Sequence, residues 1–172
     1  MENTIFNLFA LYNIETNKKM NKVIGNIEGD GWEKEFRGYF PSIKSLCNHI
    51  YLGDFIWLKR FSTFRDFKYF RHTVFGRNLS LNDKAFGTID EYCDQRAVLD
   101  TLIVDFIEEL KEEETQSNLV YQDSRGNAHS KNFGGLILHV FNHQTHHRGM
   151  ISLYLEELGI ANDFCSLHSL IA

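Results

Sequence analysis

Pro41 is the one proline in 172 residues. Proline fixes φ and removes a backbone donor, so it is the strongest interruption a helix can meet. A chain this poor in it can run long helices, and the apolar residues fall where such helices need them. Residues 4–27 carry Ile5, Leu8, Phe9, Tyr12, Met20, Val23, Ile24 and Ile27, spaced mostly in steps of three and four. Behind Pro41, with Ser42 as N-cap, Ile43, Leu46, Ile50, Ile56, Trp57 and Phe61 set a second stripe. Thr88 and Glu91 form a capping box ahead of a third: Ile89, Tyr92, Leu99, Ile103, Phe106 and Leu110. The acidic run 108–114 reads as the solvated end of that helix. The fourth runs from about Lys131 to Leu158 and stops at Gly159, a residue suited to a left-handed C′ position.

The links are also readable. Trp32, Phe36, Tyr39 and Phe40 should pack on the helices. Residues 62–87 are aromatic and irregular, which predicts short turns. Leu119, Val120 and Tyr121, followed by the turn chemistry of Ser124-Arg125-Gly126-Asn127, predict a small β-hairpin over 119–129. A short helix near 164–171 should cover one end. The expected architecture is all-α: an antiparallel four-helix bundle with a β-hairpin before the last long helix, residues 1–172 forming one domain.

A formal charge of −5 argues against non-specific duplex binding, which needs a Lys/Arg surface. One local basic stretch exists: Lys59, Arg60, Arg65, Lys68 and Arg71, interleaved with Phe61, Phe64, Phe67, Tyr69 and Phe70. It reads better as an aromatic loop tucked onto the bundle than as a nucleic-acid contact. The three cysteines, Cys47, Cys93 and Cys165, are odd in number and form no CxxC pair, as in a reducing compartment. Neither a leader peptide nor a run long enough to span a bilayer is visible, so a cytoplasmic protein without membrane partners is expected.

The segment HVFNHQTHHRG (139–149) holds the chemistry. Turning about 100° per residue, the last helix places His147 within its apolar stripe and His143 on the shoulder. His139 and His146 drift toward the polar side. His143 and His147 are thus an i,i+4 pair on one face, able to close on one metal ion. On spacing alone, a metal site and a pair of hydrogen-bonded core histidines stand level. A metal needs at least a third ligand. His49 is the best candidate, lying mid-helix with Gly53 one turn away leaving room beside it. His72, His129 and His168 fall in links and read as surface residues. Three imidazoles without a thiolate suit Zn²⁺ or Ni²⁺ and leave a position open, the style of a catalytic site. Tyr12, Asp54 and Tyr121 are candidate proton-handling neighbours, each with a packing role as its alternative. No catalytic residue is assigned.

These residues carry a family resemblance. LFALYNIETNKKM, SIKSLCNHIYLGDFIWLKRF and YQDSRGNAHSKNFGGLILHVFNHQTHHRGMISLYLEELG resemble the first, second and last helices of the DinB-like (DNA-damage-inducible) proteins. The resemblance spans nearly the whole chain. It implies a bacterial metal-binding four-helix bundle whose metal histidines fall on His49, His143 and His147. It also implies pairing into homodimers. Some relatives activate a small thiol for transfer to an electrophile, and others are described as metal-dependent hydrolases. The alternative is a metal-stabilised binding protein without catalysis. Thr16 and Asn17 depart from the family's usual tryptophan–alanine.

Overall fold

The computed structural model describes residues 4–171; the first three residues and Ala172 of the expected domain lie outside them. Four long helices dominate: α1 (Thr4–Ile24), α2 (Ile43–Phe61), α3 (Ile89–Glu109) and α5 (Phe133–Glu157). A single turn, α4 (Glu112–Thr115), and a hairpin of β1 (Asn118–Gln122) and β2 (Ala128–Asn132) separate the last two. The fold is all-α with the hairpin immediately before the last long helix, as expected.

The helix ends follow from local chemistry. Ser42 accepts from the Ser45 backbone N–H, and Thr88 does the same for Glu91, each inside a reciprocal capping box. α1 stops at Ile24, short of the expected residue 27, where Gly25 weakens the helix. α5 begins at Phe133 because β2 extends through Asn132, whose side chain caps the Gly135 N–H. Its end is a Schellman turn: Gly159 adopts φ +76°, and Ile160 N–H reaches back to Leu155 O at 2.9 Å.

Around the bundle α1 touches α3 and α5, and α2 touches α3 and α5. Side-chain pairs give the directions. Asp54 meets Arg96 and Phe61 meets Phe106, so α2 and α3 run parallel. His49 meets His143 while Phe61 meets Phe133, so α2 and α5 run antiparallel. Similarly, Phe9 meets Phe141 and Asn13 meets Arg148 across a parallel α1–α5 pair, whereas α1 and α3 are antiparallel. The antiparallel contacts are therefore α1–α3 and α2–α5. Parallel neighbours require a connection that returns the full length of the bundle, and residues 62–87 supply it.

That return explains the aromatic link. Phe67 and Tyr69 pack on Phe106 at one end, Phe75 on Phe55 midway, and Phe86 on Tyr51 and Tyr92 at the other. The link seals the α2–α3 seam as two 3-10 turns, Lys68–Arg71 and Thr73–Gly76, with irregular chain between and after. Two of its arginines are paired with carboxylates, Arg65 with Glu114 at 2.6 Å and Arg71 with Asp66 at 2.7 Å, and Arg60 at the end of α2 rests on the Trp57 ring.

Two expectations need correcting. The acidic run is not simply a solvated helix end. α3 breaks at Leu110, which buries itself, and the Glu109 carboxylate accepts from the Lys68 and Tyr69 backbone N–H groups at 2.8 and 2.9 Å. Together Glu109 and Glu114 fasten the link to the bundle. In the first link, Trp32 is buried, but Tyr39 is 90% exposed and does not pack as expected.

Candidate metal centre

The site lies at one edge of the α2–α5 seam. α2 supplies His49, and α5 supplies His143 and His147 one turn apart. One ligand-capable nitrogen from each falls within 4.8 Å of the others. His49 Nε2 and His143 Nε2 are 2.9 Å apart. That is the distance of an imidazole–imidazole hydrogen bond; a tetrahedral ion bound at about 2.1 Å would hold the two nitrogens about 3.4 Å apart, so a shift of about 0.5 Å would admit one. His147 is buried, its Nδ1 without a hydrogen-bond partner among the described residues, while the other two rings are half-buried.

Gly53 serves differently from the expected open space beside His49. A Cβ at this position would stand 3.0 Å from His143 Cε1. The missing side chain is what admits the His143 ring against α2. The other wall is Phe40, whose ring centre lies 4.3 Å from that of His49 and 5.3 Å from that of His147. Phe40 is held there by Tyr154, which donates to its carbonyl at 2.9 Å and stacks on Phe36 at 4.2 Å. Gly38 is needed at this point because any Cβ would collide with the Tyr154 hydroxyl.

Burial, reinforced by repulsion from His147 and His49, pushes the His143 imidazolium down to about 3. Burial also lowers His147, to about 4, with His49 and His146 adding repulsion, and it lowers His49. Near neutral pH all three rings are neutral, the form in which imidazole binds metal. The donor set, its protonation and the unpartnered nitrogen all fit a divalent ion, and the three histidines could hold one.

A groove of about 490 Å³ opens beside His49, lined by Phe40, Ser45, Asn48, Leu81, Lys84 and Phe86 among others. Asn48 builds its far wall, donating to the Asp83 carbonyl at 2.8 Å and accepting from the Ala85 N–H at 2.7 Å. The end of the aromatic link thus reaches the site, although its length serves the opposite seam.

The other named residues fall elsewhere. Tyr12 donates to the Cys165 carbonyl at 2.9 Å. Asp54 is buried against Arg96. Tyr121 packs in the hairpin between Trp57 and His129. None lines the groove. His139 and His146 are exposed on either side of the pair; His72 caps Val74, His129 pairs with Asp123, and His168 is exposed. Sequence reasoning missed Phe40 as a wall of the site, and Gln144 and Arg148 as buried groups directly behind it. The i,i+4 spacing of Gln144 and Arg148, in step with the histidines, was a signal available in the sequence.

No solved structure matches the chain. It is 26% identical over 164 residues to "Protein DinB" of Bacillus subtilis (strain 168), a stretch covering 94% of this chain and 90% of that protein. Residues 1–170 match the DinB family, and the chain belongs to that family.

Proposed function

We propose that this protein is a metal-dependent enzyme acting on small electrophiles, as a thiol transferase or a hydrolase. His49, His143 and His147 hold one divalent ion, zinc or nickel. The observation that carries this reading is the convergence of three neutral imidazoles, one of which, His49, lines a groove. At about 490 Å³ the groove suits a small molecule. A divalent ion there would supply Lewis acidity, lowering the pKa of a thiol or water that binds it. The chain's own contribution is to orient and to exclude. Gly53 lets His143 approach α2, Phe40 shields the His49 and His147 rings from solvent, and Asn48 holds the 83–85 segment as the groove's outer wall.

One continuous apolar core joins all four long helices, which supports residues 1–172 acting as one domain. A cytoplasmic location, a homodimeric state and a stress or DNA-damage setting belong to the same reading. No helix is long and apolar enough to cross a membrane among the described residues.

A second reading rests on the direct approach of His49 to His143, which places the site across two helices. An ion there would cross-link α2 to α5 and stabilise a non-catalytic binding protein.

Elemental analysis of untagged wild type and His143→Ala, prepared near neutral pH, tests both. The proposal expects about one zinc or nickel per chain in wild type, lost in the variant. It then expects thiol conjugation or ester hydrolysis above that of the free ion across a substrate panel. Metal without turnover, together with a large loss of folding on chelation, supports the second reading. No metal after reconstitution sinks both.

A further inference from the structure

Gln144 and Arg148 directly follow the two histidines of α5 in sequence, and both are buried in the bundle centre. They belong to a closed circuit. Gln144 Nε2 donates to Asp54 Oδ2 on α2. The same oxygen accepts from Arg96 Nη1 on α3 at 2.7 Å, and Arg96 Nη2 lies 2.9 Å from Asp100 Oδ1. Asp100 Oδ1 also accepts from Asn13 and Asn17 on α1, at 3.0 and 2.8 Å. The oxygens of those two asparagines accept from Arg148 Nη1 at 2.6 and 3.2 Å. Arg148 Nη1 returns to Gln144 Oε1 at 3.3 Å and closes the path. All four long helices are included. Two carboxylates face two guanidiniums, so the circuit carries no net charge while the carboxyls are ionised. Every member is at most 2% exposed.

We propose that this circuit is the positioning device of the metal site, an inference that rests on the metal-binding reading above. Rotating a helix by about 20° about its axis moves a side-chain tip by about 2 Å, given a helix radius of about 5–6 Å. Ligand distances in a metal site must hold to about 0.2 Å. Apolar packing has little directionality, whereas hydrogen bonds have much. Gln144 and Arg148 fix the rotation of α5 on the two turns that carry His143 and His147. Asp54 fixes α2 beside Gly53, against which the His143 ring rests. Stability alone does not call for this arrangement, since well-packed apolar residues often stabilise a core as well as buried ion pairs do. The circuit also lies level with the ligands, while the far end of the bundle is closed by Phe61, Phe106 and Phe133.

The test is Co²⁺ titration of the full-length, chelator-stripped protein near neutral pH, read by visible absorption, beside urea unfolding of the metal-free chains. Gln144→Leu removes the Asp54 contact. Asn17→Ala alters the circuit from α1, a helix without a ligand, and keeps all four charges. Phe67→Leu, in the link and away from the site, controls for general destabilisation. The circuit variants, still folded by circular dichroism, should bind Co²⁺ about 10–100-fold more weakly with a shifted d–d band, while Phe67→Leu binds as wild type does. Should Gln144→Leu fail to fold, Asn17→Ala carries the same test. Circuit variants that lose stability yet keep wild-type affinity and spectrum would overturn the positioning role alone. A wild type that binds no Co²⁺ would overturn the metal reading itself, and the circuit's role with it.

Discussion

Two polar clusters share the same turns of α5 and are built on opposite terms. The inner one, on Gln144 and Arg148, is charged and central, and it meets partners from every helix. The outer one, on His143 and His147, is neutral, lies at the bundle edge and leaves a buried nitrogen unpartnered. Inside a core a polar group must be satisfied or it weakens the fold. The inner cluster meets much of that demand by ion pairs and hydrogen bonds from within the chain, although Asp54 Oδ1, Arg96 Nε and Nη2 and Arg148 Nε find no hydrogen-bond partner among the described residues. The outer cluster has no counter-charge from within the chain and its His49 lies beside a groove, so the two differ in charge, in partners and in access from outside.

Breaking the inner cluster should have the largest effect. Arg96→Met leaves Asp54 and Asp100 buried without their guanidinium, and unfolding free energy should fall by about 3–5 kcal/mol, read from urea midpoints. A loss below about 1 kcal/mol would mean the two clusters do not differ in kind.

Next comes pH, where the clusters oppose each other. Imidazoles with a lowered folded pKa give stability that is present above their ordinary 6.5 and is lost as pH falls toward about 4 for His147 and about 3 for His143. Burial raises the Asp54 carboxyl to about 6 against the pull of Arg96. Its contribution is therefore present below the ordinary 3.8 and is lost as pH rises through about 6. The metal-free wild type should lose more stability between neutral pH and about pH 5 than a His143→Ala/His147→Ala chain. Equal losses in paired urea titrations would remove the imidazole contribution.

Making the outer cluster apolar should then help the fold. His147→Phe replaces a buried ring with an unpartnered nitrogen by one with none, so the metal-free chain should gain about 1 kcal/mol while metal binding is lost. A clear destabilisation would show that His147 is core after all. The smallest stability effect belongs to Gly53→Ala. Alanine favours the helix by about 1 kcal/mol, and the 3.0 Å approach to His143 Cε1 offsets it by moving that ring. Stability should hardly change while Co²⁺ affinity drops; unchanged affinity would separate Gly53 from the site.

These clusters also mark where the sequence was readable. The N-cap at Ser42, the capping box at Thr88 and the stop at Gly159 are local, and their chemistry is written in adjacent residues. The His143–His147 pair is equally local, and Gly53 singled out His49. The circuit was less visible because Asn13 and Asn17, Arg96 and Asp100, and Gln144 and Arg148 each look solvent-facing on their own helix. Only their shared i,i+4 spacing hints that polar stripes meet inside. The parallel pairing of α2 with α3 depends on a connection, and helical periodicity carries no information about direction. Phe40 was placed in a packing link, but nothing in its own stretch says that it packs on imidazoles.

The order of the helices also sets a timetable for synthesis. His49 and His143 are separated by 94 residues, and α5 is the last long helix to be made. A nascent chain emerging from its N-terminus can dock α1, α2 and α3 while Arg96 already has Asp54 and Asp100. It has no imidazole trio until His147 has left the ribosome. The three rings can therefore come together only in a chain translated through its last long helix and folded with it.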